Sequence, residues 1–340
     1  VPVADQKGRL EETMSSESVV HPTGSSRTAA YLRLFRIPNL FTAWADILMG
    51  FLVVHQGFTP LQPLVFLLIA SACIYTAGMV LNDVYDIEID RVERPTRPLP
   101  AGEISLGQAS RVGYLLLVVG VVAAAVSGVW APAGAMAWRG GCVAFILALC
   151  VLLYDGILKK TPVASWVMGA CRFLNVLLGM SCAVMVVRDA QVGGYLPHEW
   201  MIAGGFGCYI AGVTWFARTE ARVSSRWQLA AAVLVMTGGL LMLAWFPVVM
   251  TDAGRSELEM PPNIVFLLLM LLGATIIYRC FLAVCEPIPA RVQVAVKHCL
   301  QSLIVLDAAV AASVAGLQSA VMVLALLVPM FVLGRWFRST

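Results

Sequence analysis

Asn82-Asp83-Val84-Tyr85-Asp86-Ile87-Glu88-Ile89-Asp90 closes an apolar run that begins near residue 61. Four carboxylates and a carboxamide therefore follow about twenty residues long enough to cross a bilayer. A charge at membrane depth costs at least about 2.5 kcal/mol on insertion scales, so acids placed there mark function. The spacing narrows the set. On a helix at about 100° per residue, Asn82, Asp83, Asp86 and Asp90 share one arc of about 100°, and Glu88 points away. Four oxygen-bearing side chains on one face suit a hard cation such as Mg²⁺, which brings phosphates with it.

The remainder of the chain agrees with a membrane setting. It has 340 residues, 60% of them hydrophobic and 13% charged, against about 25% charged in a soluble domain. A net charge of +3 gives no basis for a nucleic-acid partner. The fold class expected is all-α, a polytopic bundle of about nine to ten transmembrane helices around a central cavity. Candidate spans lie at about 38–57, 61–81, 109–129, 140–158, 163–187, 199–217, 227–246, 263–285, 293–315 and 317–336. Gly-Gly at 204–205 and 238–239 predicts close helix packing. Residues 1–30 form a polar segment without the apolar core of a signal peptide, expected to be a disordered cytoplasmic tail. Residues 31–340 form the membrane domain.

Sidedness follows from the basic residues. With the N-terminus in the cytoplasm, the inner connections hold most of the Lys and Arg, including Arg33, Arg36, Arg91, Arg94, Arg97, Lys159, Lys160, Arg218, Arg222 and Arg226. The outer connections hold Arg139, Arg188 and Arg255. The acidic cluster and the 218–226 stretch then share the cytoplasmic side. The expected location is a multi-pass integral membrane protein, in the plasma (inner) membrane if bacterial, with the lipid bilayer as a partner. Protein partners are not legible. The nine cysteines lie mostly in apolar runs with no Cys-x-x-Cys pair, and read as packing residues. The four histidines have no ligand spacing.

The acidic helix end runs into Arg91-Val92-Glu93-Arg94-Pro95-Thr96-Arg97-Pro98-Leu99-Pro100-Ala101-Gly102. Asn-Asp-x-x-Asp-x-x-x-Asp followed by Arg-Pro-x-Arg-Pro-Leu-Pro-x-Gly resembles the first signature of the UbiA superfamily of intramembrane prenyltransferases, which includes 4-hydroxybenzoate polyprenyltransferases. The resemblance covers about residues 31–336. It implies that Asn82, Asp83, Asp86 and Asp90 bind Mg²⁺ and the diphosphate of an isoprenyl donor, with Arg97 beside them.

The family's second acidic motif, typically two aspartates four apart, corresponds here to Thr214-Trp215-Phe216-Ala217-Arg218-Thr219-Glu220-Ala221-Arg222. Only Glu220 matches, so the chain resembles a divergent branch. Glu220 is the expected metal ligand there, and Arg218 and Arg222 are expected to take diphosphate charge directly. Tyr154 and Lys159 resemble the family's Tyr-x-x-x-x-Lys, with Lys159 or Lys160 set to neutralise the leaving group. Asp155 is an additional acid without an assigned role. Arg172 is a charge inside an apolar run, and Asn175 lies one turn on; the pair is expected to line the cavity and position substrate or a first-motif acid. Asp307 is expected to partner a basic side chain such as Arg279 or His298.

The expected activity is Mg²⁺-dependent transfer of an isoprenyl group from a polyprenyl diphosphate to a small aromatic acceptor. The alternatives are a lipid or glycerol phosphate type acceptor, or a non-catalytic isoprenoid-binding or transport protein. Asp83, Asp86, Asp90, Lys159 and Arg172 are the expected catalytic residues. Asn82, Arg97, Tyr154, Asn175, Arg218, Glu220 and Arg222 are the expected substrate contacts. A CDP-alcohol phosphotransferase is excluded because Asp155-Gly156 continues as Ile-Leu-Lys, not as that family's signature.

Overall fold

The computed structural model describes residues 27–184, 191–252 and 258–336. Most of the polar tail, together with Arg188, Arg255 and Arg338, lies outside these residues. Among the described residues there is no strand, only two isolated β-bridges. The helices are α1 (Arg27–Leu34), α2 (Ile37–His55), α3 (Leu61–Tyr85), α4 (Ile87–Glu93), α5 (Leu106–Ser127), α6 (Arg139–Leu153), α7 (Ala164–Gly179), α8 (Pro197–Ala217), α9 (Arg226–Asp252), α10 (Pro262–Cys285), α11 (Pro289–Leu324) and α12 (Leu327–Trp336). Among the described residues eight helical stretches are long and apolar enough to cross a membrane, and α7 is a shorter apolar helix.

Packing partners reveal the architecture. Helices α2, α3, α5, α6, α7, α8, α9, α10 and α11 each pack on the next, and α11 packs back on α2. The spans thus close into a ring in chain order. Further contacts of α2 with α7 and of α8 with α11 tie opposite parts of the ring together. The outer faces of α5, α6 and α10 expose large apolar side chains such as Leu115, Val118, Phe145, Leu267 and Leu271, which suits contact with lipid tails.

Helix approach is close where glycines face one another. A Cβ on Gly239 would lie 2.5 Å from the Gly205 carbonyl oxygen and 2.6 Å from the Tyr209 nitrogen. A larger residue there would force α8 and α9 apart, as the Gly-Gly pairs predicted. Gly50 and Gly179 do the same for α2 and α7, each with a would-be Cβ 2.8 Å from a carbonyl oxygen of the other helix.

Two sequence expectations change, and a third is sharpened. Residues 27–30 belong to α1, and Ala30 is buried against Leu34, Val80 and Leu99, so the tail ends earlier than residue 30. Among the described residues the helix of the fifth segment ends at Gly179. Beyond it, buried Arg139 donates to the carbonyls of Ser181 (2.7 Å), Ala183 (2.8 Å) and Gly194, and stacks on Tyr195. Its cation is therefore a clamp for loop carbonyls beyond the short helix, and not simply a loop charge. The last two candidate spans meet at Gly316, whose non-helical backbone (φ 77, ψ 173) divides α11 into two helices, and α12 follows. Gly316 lies beside Glu259, and Gly334 lies beside Pro38 at the far end of the bundle. The chain after Gly316 recrosses the bundle outside the ring, packed on α2. Among the described residues nine helices in the ring and the helical stretch after Gly316 outside it match the ten candidate segments.

Candidate functional site

The acids of 82–90 gather at one end of α3, but not on one continuous helix. Asp86 leaves helical geometry (φ −90, ψ 5) and serves as the C-cap of α3 and the N-cap of α4. Hydrogen bonds from Asp86 N to Asn82 O (3.0 Å) and from Asp90 N to Asp86 O (2.9 Å) carry the four-residue register across the break. The shared face read from the spacing therefore survives. Glu88 points away, as expected: it is exposed and pairs with Arg91 at 2.8 Å.

Each acid on the shared face meets a cation. Asp83 is 4% exposed and accepts from Arg36 at 2.6 Å and from Arg97 at 3.2 Å. Asp90 is 2% exposed and accepts from the same Arg97 nitrogen at 2.7 Å. Asp86 pairs with Lys159, which also donates to Asn82 Oδ1 at 2.6 Å. Arg97 is itself buried, so the Arg-Pro-rich loop folds back and inserts its guanidinium between two carboxylates. Charges taken out of water are tolerated when paired in this way. Arg36 sits in a left-handed conformation (φ 47) at the N-terminus of α2. Sequence reading counted it only as a topology residue, because nothing in its neighbours signals that the α1–α2 corner delivers it to Asp83.

Lys159 comes from a turn of π-helix spanning Tyr154–Leu158, closed by a bond from Lys159 N to Tyr154 O at 2.9 Å. Such π-bulges recur at functional sites because the inserted residue re-aims its neighbours. Half-buried Tyr154 and buried Asp155 lie on this turn. Arg218 is exposed and acts electrostatically on Tyr154. The end of α8 thus belongs to the same rim. Arg222 is also exposed, and neither arginine has an ion pair among the described residues. Arg94 acts electrostatically on Glu220, and Gln293 donates to the Glu220 backbone oxygen at 3.3 Å. Burial raises its carboxyl above the ordinary glutamate range, and Arg94 opposes that rise.

Arg172 and Asn175 form a separate group one helical layer deeper. Arg172 Nε lies 2.9 Å from Asp46, which is fully buried on α2. Asn175 donates to Asp46 at 2.8 Å and to the Ala43 carbonyl at 3.0 Å, and accepts from Ser71 at 2.8 Å. The residue they position is Asp46, not a first-motif acid. The expectation for Asp307 also changes: it is fully buried and faces Asp46, while Arg279 and His298 line a surface groove of about 450 Å³ with Thr275 and Tyr278. Asp46 was legible by the same rule that singled out Asp307, an acid in mid-span.

Asn82, Asp83, Asp86 and Asp90 offer only hard oxygen donors, the chemistry Mg²⁺ prefers. Among the described residues no three acids, histidines or cysteines converge as a ready metal cage, and Arg36, Arg97 and Lys159 pair with Asp83, Asp86 and Asp90. The arrangement is an anionic helix end interleaved with cations, able to exchange those cations for a divalent ion with an anionic substrate.

A closed helical ring with a paired acidic cluster at one end defines a class, the intramembrane prenyl-transfer fold. The UbiA prenyltransferase family model matches residues 43–250, and the chain belongs to that family. It is 32% identical over 132 residues to the digeranylgeranylglyceryl phosphate synthase of Saccharolobus solfataricus, covering 39% of this chain and 44% of that protein. It is 30% identical over 179 residues to the enzyme of the same name from Sulfurisphaera tokodaii, covering 51% and 55%. The chain thus spans about half the length of these relatives. A UbiA homologue from Archaeoglobus fulgidus bound to GPP and Mg²⁺ superposes with a TM-score of 0.61 at 13% identity, over 88% of this chain and 99% of that one. A digeranylgeranylglyceryl phosphate synthase structure gives 0.60 at 19% identity, over 88% and 99%. At these identities the likeness concerns the fold.

Proposed function

We propose that this chain transfers an isoprenyl group from an isoprenyl diphosphate to a hydroxyl acceptor of the glycerol phosphate type, at the membrane face that carries the acidic cluster. The observation that carries the reading is the set of buried and half-buried ion pairs joining Asp83, Asp86 and Asp90 to Arg36, Arg97 and Lys159. The relatives' names support an acceptor of glycerol phosphate type over the small aromatic acceptor expected from sequence. No side-chain arrangement described above favours an aromatic ring.

Asn82, Asp83, Asp86 and Asp90 would hold Mg²⁺. The ion supplies charge neutralisation to the leaving diphosphate. Lys159 and Arg36 already lie on those acids and can move to diphosphate oxygens without crossing the bundle. Exposed Arg218 and Arg222 offer further bidentate donors at the rim. Arg97, buried between Asp83 and Asp90, keeps those two carboxylates aimed while the other cations exchange. When the donor's carbon–oxygen bond breaks, its electron pair leaves with the diphosphate, where Lys159 and the arginines stabilise it. The acceptor oxygen then forms the new bond to the allylic carbon and loses its proton. The apolar ring excludes water from the carbocationic centre. By the positive-inside argument, this face is cytoplasmic.

Asp86→Ala tests the assignment. Purified variant protein should lose Mg²⁺-dependent transfer of labelled prenyl diphosphate. Undiminished turnover would remove residues 82–90 from the chemistry.

A further inference from the structure

Helices α10 and α11 pack on one another and carry a surface groove of about 450 Å³ between them, lined by Ala274, Thr275, Tyr278, Arg279 and His298. We propose that this groove seats an anionic phospholipid of the bilayer, with the lipid phosphate on Arg279 and one acyl chain along α10. The proposal stands apart from the prenyl-transfer reading.

The groove presents a cation that the protein does not neutralise. Arg279 is exposed and has no ion pair or hydrogen bond among the described residues. No acid lines the groove. Asp307, the acid expected from sequence to meet these basic groups, is fully buried inside the bundle. Glu286, in the α10–α11 connection, is paired with Arg291 at 3.2 Å. His298 adds a second group without a partner, because its Nε2 is shielded from water and makes no hydrogen bond among the described residues.

Depth decides which anion fits. At 1.5 Å per residue, Arg279 lies about 9 Å before the end of α10, and His298 about 13 Å after the start of α11. Exposed Leu271 and Phe281 on α10, with exposed Val294 and Leu300 on α11, flank this level. The groove therefore faces lipid, just inside the polar connection. A cation at that level is costly without a counter-charge, and a long side chain can reach the headgroup layer to find one. Tyr278, also exposed, is the aromatic type that marks this boundary. Ser224 N donates to Pro287 O at 3.0 Å, which ties the connection to the α8–α9 loop on the cytoplasmic side.

The lining matches a phospholipid from head to tail. A guanidinium forms paired hydrogen bonds to phosphate, and basic pockets between spanning helices recognise anionic headgroups. The Thr275 hydroxyl donates to Leu272 O at 2.7 Å, so its oxygen is left to accept from a headgroup hydroxyl. Deeper along α10, Ala274, Leu271 and Leu267 share the face of Tyr278 at steps of three and four residues. Leu271 and Leu267 are exposed, and this stripe gives an acyl chain its path toward the bilayer centre. One guanidinium against one phosphate favours a headgroup that carries no cation of its own.

Native mass spectrometry of the full chain in detergent tests this, with phosphatidylglycerol and phosphatidylcholine of the same acyl chains titrated separately. Wild type should bind phosphatidylglycerol about 10-fold more tightly, Arg279→Gln should lose that margin, and Arg279→Lys should keep part of it. Arg111→Gln removes an exposed cation on α5 instead and should leave the margin intact. A photoreactive phosphatidylglycerol should label wild-type peptides from α10 and α11. Equal wild-type affinity for the two lipids would overturn the proposal. So would a margin that survives Arg279→Gln, an equal loss in Arg111→Gln, or labelling confined to other helices. The wild-type preference and the labelled position are read without any variant, so they hold the proposal to account even if Arg279→Gln fails to fold.

Discussion

Arg97 is the most informative residue to remove, because one nitrogen serves two buried acids. Arg97→Gln keeps the bulk of the side chain but takes away its charge and most of its donors. Asp83 would still have Arg36 at 2.6 Å, whereas Asp90 would be left without a cation at 2% exposure. Breaking one partner out of a buried ion pair costs about 3–5 kcal/mol. Most of that cost is the stranded Asp90 charge, so Asp90→Asn should restore much of it. We expect Arg97→Gln to lose about 3 kcal/mol of stability and Arg97→Gln/Asp90→Asn to recover about 2 of these, a coupling within the range for neighbouring charges. Reversible unfolding in mixed micelles with increasing SDS, followed by tryptophan fluorescence, gives both values. A loss under about 1 kcal/mol for Arg97→Gln, or strict additivity of the two changes, would refute the view that Arg97 organises the acidic end.

Three further outcomes follow. Lys159→Met should lower kcat by about 100-fold, equivalent to about 2.7 kcal/mol of barrier, and Lys159→Arg should keep more of the rate; equal loss in both would remove charge from the explanation. Gly239→Leu should prevent α8 and α9 from closing, and size-exclusion chromatography in detergent should report aggregated protein; a monodisperse variant with wild-type stability would contradict the contact. Glu220 has a carboxyl raised by burial, so the folded state holds its proton more tightly than the unfolded one. Stability from this group is then lost as pH rises from the ordinary glutamate value near 4.5 through the folded value; Glu220→Gln should flatten that part of the stability–pH curve, and an unchanged curve would contradict the burial argument.

Much of this was legible in the chain, for reasons that differ by residue. The spans were readable because lipid imposes length and apolarity on every crossing segment. The shared face of Asn82, Asp83, Asp86 and Asp90 was readable because helical period survives the break at Asp86. Arg36 was not readable, since its role depends on a left-handed corner that sets α1 against α2. Asp155 and Lys159 are four residues apart and invite pairing, and only the π-turn shows that they separate. Arg172 was recognised as an interior charge, but its partner Asp46 lies 126 positions away and depends on the close approach at Gly50 and Gly179. Local pattern thus gave the elements and the acidic end, while long-range pairings awaited the helix ring.

Product analysis of wild-type protein in lipid nanodiscs tests the central claim most directly. Labelled geranylgeranyl diphosphate and a geranylgeranylated glycerol phosphate acceptor should yield, only with Mg²⁺, an ether-linked product and an equal amount of diphosphate by mass spectrometry. Tight donor binding with no prenylated product, across glycerol phosphate and aromatic acceptors alike, would contradict it.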